Sequence, residues 1–177
     1  MKTLRVLPNV GIGLLELGMS PNQILAAIKT ECYDLIVPGK DIEISEDKED
    51  DGYTLRYITG SFFFMVRYRK DTAIEISVDR ELSKIMTIAL YDVDVFNTPA
   101  EDVVDYVKQF SKCNYDAEDE QLSTNYEFDD IGVRFWREEP FHKKLLSDKA
   151  YMEEMSLVIE DMYRYLYFDI VTVSLHK

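Results

Sequence analysis

Between Tyr53 and Phe96 the chain runs through four stretches of β-forming residues with little room between them. Tyr53–Ile58 and Ser61–Arg69 are separated by Thr59-Gly60 alone. In Thr72–Val78, Ile74, Ile76 and Val78 face one way and Glu75 and Ser77 the other, which is the two-residue period of a half-buried strand. Lys84–Phe96 reads as a longer strand, with Val93 and Val95 continuing the alternation between Asp92 and Asp94. Runs this close together are joined naturally by antiparallel hairpins, because parallel pairing needs a long crossover. Just upstream, Ile42 and Ile44 alternate with acids as in a short strand, and Glu46–Gly52 reads as a charged turn.

Helices are expected on either side. Val10–Ser20 reads as a short strand entering a helix, with Ser20 as N-cap, Pro21 in the first helical position and Gln23 completing a capping box. Ile24, Leu25 and Ile28 form its apolar stripe, and its end is expected near Thr30–Tyr33, before the turn signal Pro38-Gly39. Thr98-Pro99-Ala100-Glu101 repeats the device, followed by Val103, Val104, Val107 and Phe110 as a buried stripe. Tyr151–Tyr167 reads as a third helix, with Met155, Val158, Ile159, Met162 and Leu166 on one side. Phe168–Leu175 reads as a β-branched final strand.

The two helix starts lie 78 residues apart. Each is preceded by a strand and followed by a Cys-containing stretch ending in Tyr-Asp, at Tyr33-Asp34 and Tyr115-Asp116. Each half later carries an apolar strand ending in aromatic and arginine residues, Phe64–Arg69 and Val133–Arg137. These features raise an internal repeat of two related units, about 10–80 and 88–140, against chance recurrence of a common capping pattern. The helix and strand at 151–175 have no obvious counterpart in the first half. The expectation is one compact domain over 1–177, of α+β class, with antiparallel sheet and helices packed on one face.

At 177 residues the chain can bury roughly 70% of its unfolded surface, enough for a core without a metal or disulfide staple. Hydrophobic residues at 46% place it outside the disordered class. The net charge of −14 repels phosphate, so neither nucleic acid nor an anionic membrane is an expected partner, whereas a basic protein is. Solubility alone is the other reading of that charge. Cys32 and Cys113 form no CxxC pair and no disulfide framework, and the N-terminus has no signal-peptide pattern, so a cytoplasmic location is expected. The longest apolar runs, Phe62–Val66 and Ile85–Tyr91, are too short to span a bilayer.

Pro8-Asn-Val-Gly-Ile-Gly13, then Leu17-Gly-Met-Ser20 and an amphipathic helix, resembles the opening of BamE/SmpA-like two-layer α+β domains. No lipoprotein cysteine precedes it, so the resemblance does not imply an outer-membrane role. Tyr126–Arg137, with its Phe-Trp-Arg ending, resembles a segment of bacterial proteins associated with toxin–immunity loci. Together the two segments cover about a fifth of the chain, and neither resemblance transfers a functional residue.

No catalytic signature emerges. Asp47–Gly52 superficially resembles the start of a calcium loop, but Ile58 stands where the twelfth-position glutamate belongs and a strand follows. Gly11 and Gly13 lack the rest of a dinucleotide fingerprint and suit a tight turn or bulge. His142 and His176 are far apart and in no metal-ligand spacing, and no cofactor is expected. Two acidic runs, Asp47, Glu49, Asp50 and Asp51, and Asp116, Glu118, Asp119 and Glu120, are either solvated loops or docking patches for a basic partner. Arg67, Arg69, Arg134 and Arg137, with Trp136, are either salt-bridged to local acids or the makings of an anion pocket. The leading expectation is a non-enzymatic protein-binding domain of immunity type that covers a basic toxin. The alternative is a small-ligand or anion-binding domain built on the arginine–aromatic cluster, and an enzyme with an unrecognised site is the third reading.

Overall fold

The computed structural model describes residues 2–33, 41–60 and 62–175. In chain order the first half contains β1 (Lys2–Leu7), β2 (Gly11–Ile12), β3 (Leu15–Glu16), α1 (Pro21–Glu31), β4 (Glu43–Glu49), β5 (Gly52–Thr59), β6 (Phe62–Arg69) and β7 (Thr72–Asp79). The second half contains β8 (Met86–Leu90), β9 (Val93–Asp94), α2 (Ala100–Val107), β10 (Asn114–Tyr115), β11 (Asn125–Phe128), β12 (Val133–Trp136), α3 (Lys149–Glu154), α4 (Ile159–Met162) and β13 (Ile170–Ser174). Short 3₁₀ turns link several of these. The chain is an α+β protein with two sheets rich in antiparallel pairing.

The five-stranded sheet has the order β3-β2-β1-β8-β9, and the eight-stranded sheet has the order β10-β11-β12-β13-β7-β6-β5-β4. β1 and β8 pair in parallel, which the connecting 78 residues allow. The remaining pairs are antiparallel, as the short spacings require. Each half thus runs strand, short antiparallel return, helix, then four antiparallel strands. Their first long strands meet in the middle of one sheet, and their last strands, β7 and β13, meet in the middle of the other. β13 therefore occupies in the second half the place of β7 in the first. The halves differ chiefly at one connection. β6 and β7 are joined by the two-residue turn Lys70-Asp71, whereas residues 137–169 lie between β12 and β13.

The core is continuous across both sheets and the first two helices. Ile24 and Ile28 of α1, and Val103, Val104 and Val107 of α2, lie in one cluster with Leu4, Val6, Ile88, Phe64, Ile76, Phe135 and Val171. At about 25 cal/mol per Å² of apolar surface, each fully buried side chain contributes roughly 1.5–3 kcal/mol.

Several expectations needed revision. Lys84–Phe96 is not one strand: Lys84 ends a 3₁₀ turn, and Tyr91, at φ 51°, turns β8 back into β9. Glu46–Gly52 is not all turn, because β4 runs to Glu49 and only Asp50 and Asp51 reverse the chain. Thr98 is not the cap of α2. The first helical bond, Val103 N–H to the Pro99 carbonyl, starts one residue later, and the turn before it is tied by Asp94, which accepts the Phe96 and Asn97 amides. Phe110 lies past the end of α2 and is half-exposed. The 151–167 stretch is broken into α3, α4 and a 3₁₀ turn, with no buried residue. The Pro38-Gly39 turn signal and His176 lie outside the described residues. Ser20 does mark the start of α1, where its amide donates to Gln23 Oε1 at 2.9 Å.

Candidate functional site

Residues directly opposite one another in a sheet share a face. One such row crosses all eight strands of the larger sheet: Ser45, Arg56, Met65, Ser77, Thr172, Arg134, Glu127 and Asn114. The next row contains Asp47, Thr54, Arg67, Glu75 and Ser174. Hydrophobic residues alternate with these and supply the core, so this face is the polar one. At its centre Ser77 and Thr172, both buried, share a hydroxyl–hydroxyl bond of 2.8 Å.

Two shallow grooves of about 430 and 500 Å³ cross this face, sharing Arg67, Glu75 and Arg134. Arg69, Glu127 and Asp129 complete the charged lining of the first. Asp47, Glu49 and Arg56 line the second. The fold thus brings Arg67, Arg69 and Arg134 together from both halves of the chain.

Each of these three guanidiniums already has a carboxylate. Arg67 Nε lies 2.7 Å from Glu49 and its Nη2 lies 3.1 Å from Asp51. Arg69 also pairs with Asp51, and that hydrogen bond holds the Asp51 carboxyl below its usual range. Arg134 sits 3.5 Å from Glu75 and 3.9 Å from Glu127. With Asp129 in the lining as well, carboxylates outnumber guanidiniums around the grooves. Pairing to local acids, one of the two expectations for this cluster, is what the geometry contains.

Arg137 and Trp136 do not join the grooves. Arg137 is fully buried and pairs with no carboxylate among the described residues. It donates to the carbonyls of Ser123 (3.1 Å), Phe141 (2.9 Å) and Gln121 (3.1 Å), and to the Tyr126 hydroxyl (2.7 Å). Burial raises Tyr126 to about 12, with Arg137 acting in the opposite sense. The side chain that ends the Phe-Trp-Arg segment therefore clamps two stretches of backbone, 121–123 and the chain at Phe141. Trp136 is partly exposed, opposite Asn125 and Ile170.

The two acidic runs differ. In the second, Asp116 accepts the Thr124 and Asn125 amides at 3.0 and 3.1 Å, Asp119 accepts the Gln121 amide at 2.9 Å, and Glu120 pairs with Lys108. Burial of the Asp116 carboxyl is outweighed by its hydrogen bonds, leaving its pKa lowered. Those three acids organise the loop, and only Glu118 makes no such contact among the described residues. In the first run Glu49 and Asp51 are committed to Arg67 and Arg69. Asp47 and Asp50, with Glu43 and Glu46 on the same strand, make no ion pair among the described residues. β4 is exposed along its whole length and ends the sheet. Sequence reading favours runs of consecutive acids, whereas the sheet edge selects Glu43 and Glu46, which lie before the run.

Among the described residues no group of three or more His, Cys, Asp or Glu is placed to hold a metal ion, and no helix is long and apolar enough to cross a membrane. Gly13 has φ 59°, and a Cβ at Gly11 would lie 1.9 Å from the Leu15 carbonyl, so both glycines serve the β2–β3 turn. Comparison with protein-family models, curated proteins and solved structures found no significant match.

Proposed function

We propose that this chain is a protein-binding domain for a basic partner, in the manner of an immunity protein covering a cationic toxin. The observation that carries the reading is β4. It is a seven-residue edge strand, exposed throughout, and Glu43, Glu46 and Asp47 on it are unpaired among the described residues. An edge strand offers a row of free backbone donors and acceptors to an incoming chain. Its carboxylates select a cationic chain and repel an anionic one, and they also oppose self-pairing between copies. The net charge of −14 supplies the long-range field that draws such a partner in. The Phe-Trp-Arg resemblance supports the immunity form, although its arginine has a scaffold role here.

The anion-binding alternative draws on the groove that joins Arg67, Arg69 and Arg134. It has less support, because an incoming anion would have to displace carboxylates already paired there.

Affinity capture from the native host, with mass spectrometry of what is retained, tests the reading. A basic protein held by the parent chain and lost from Glu43→Gln/Glu46→Gln/Asp47→Asn is the expected result. Capture of acidic proteins only, or of none, would remove it.

A further inference from the structure

The 137–169 connection stands out because the equivalent place in the first half needs only Lys70 and Asp71. From His142 to Tyr167 no residue is buried. Leu157 is 97% exposed, and Val158 and Tyr163 are 44% and 40% exposed. Met152, Met155, Ile159 and Met162 are only partly covered. Large apolar side chains left exposed close together in the chain point to an interaction surface.

The excursion is nonetheless held firmly at its base. Arg137 donates to the Phe141 carbonyl, and the buried Phe141 ring lies 6.2 Å from that of Tyr151. Lys143 pairs with Asp102, Arg164 pairs with Glu138, and the Arg80 amide donates to the Asp169 carbonyl. The fold thus presents the apolar residues outward on an anchored loop.

Their surroundings define what would cover them. Between Ala150 and Tyr163 the charged residues are Glu153, Glu154, Glu160 and Asp161; the nearest cations flank this stretch, Lys144 and Lys149 before it and Arg164, paired with Glu138, after it. None of the four acids makes an ion pair among the described residues. A second copy of this chain would set these carboxylates against each other, and an anionic membrane would repel them.

We propose that residues 150–163 are a docking element that seats Leu157 and Val158 in an apolar cleft of a partner protein, rimmed by lysine or arginine. This deepens the protein-binding reading and rests on it. It places the hydrophobic anchor apart from the charged edge β4, on the long connection between β12 and β13. Buried apolar anchors carry most of the affinity in an interface, while surrounding charges set encounter and specificity.

The probe is a synthetic 14-residue amphipathic peptide of leucine and lysine, with leucine–glutamate and serine–lysine peptides of equal length as controls. Fluorescence anisotropy at low salt should show binding of the leucine–lysine peptide alone. Leu157→Ser/Val158→Ser should weaken it by about tenfold or more, with an unchanged melting temperature because neither side chain is buried. Glu153→Gln/Glu154→Gln/Glu160→Gln/Asp161→Asn should weaken it and flatten its salt dependence. No binding to the parent chain, undiminished binding to Leu157→Ser/Val158→Ser, or equal binding of the serine–lysine peptide would overturn the proposal. Retention by Leu157→Ser/Val158→Ser of a basic protein captured through β4 would also overturn it, while leaving the protein-binding reading intact.

Discussion

The hydroxyls of Ser77 and Thr172 meet at 2.8 Å in the middle of the eight-stranded sheet, where the last strand of one half pairs with the last strand of the other. Both side chains are buried under the longer residues of the polar face. A buried hydroxyl left without its partner costs about 1–3 kcal/mol, whereas removing both partners is nearly neutral. Ser77→Ala and Thr172→Val should each lower the urea midpoint with unchanged slope, and the double variant should recover most of the loss. Additive losses would show that the two hydroxyls are not coupled.

Arg137 and the groove arginines should separate clearly in energetic effect. Arg137→Met strands three carbonyls and the Tyr126 hydroxyl, so it should cost about 3 kcal/mol or more. Arg69→Ala breaks an exposed pair and should leave stability nearly unchanged. Chemical denaturation of both variants checks this. Equal effects would mean that the interior clamp is misassigned.

Much of this scaffold was legible in sequence, because period-2 alternation over Tyr53–Val78 and the Ser20-Pro21 start are local signals. The failures lie where long-range contacts decide. β1 alternates Leu4 and Val6 with Thr3 and Arg5, too short a pattern to announce a strand alone, and its parallel partner β8 lies 78 residues further on. The Tyr91 turn depends on a positive φ that a tyrosine does not advertise. At 151–167 the helical stripe is real in sequence, but no surface lies beneath to bury it, so short turns result. For the candidate site, the sequence signalled acidic runs and arginines. It could not tell that Arg137 turns inward, or that Asp116, Asp119 and Glu120 hold a loop together.

Asp79 predicts a pH dependence. It is buried at the end of β7, with one carboxyl oxygen unpartnered among the described residues, and desolvation raises it to about 6 against the hydrogen bonds from the Phe63 and Leu82 backbone. The folded chain therefore keeps this proton to higher pH than the unfolded chain, whose aspartate titrates near 3.9. The contribution is full below about pH 4 and is lost as pH rises through about 6. Asp79→Asn should flatten that part of the stability profile and raise the melting temperature above pH 7. An unchanged slope between pH 4 and 6 would rule out Asp79 as its source.

Cys32 and Cys113 are free thiols, and burial raises both to about 11. At pH 8 few are thiolates, so alkylation of the folded chain should be slow at both. Unfolding in denaturant should release two reactive thiols per chain. Fast labelling of the native protein at Cys32, whose side chain is fully buried, would contradict its position in the core.

The central claim, recognition of a basic protein through carboxylates on an open sheet edge, is tested most directly by association rate against ionic strength. The partner recovered by affinity capture would be mixed with the parent chain and with Glu43→Gln/Glu46→Gln/Asp47→Asn in a stopped-flow experiment. Unsteered association lies near 10⁵–10⁶ M⁻¹s⁻¹, and complementary charge raises it by orders of magnitude at low salt. Screening at about 0.15 M acts beyond roughly 8 Å and should bring the parent's rate down steeply. The prediction is a fast, salt-sensitive rate for the parent and a slower, flatter one for the variant, at equal melting temperature. A parent rate that does not change with salt, or a variant that matches it throughout, would contradict the account.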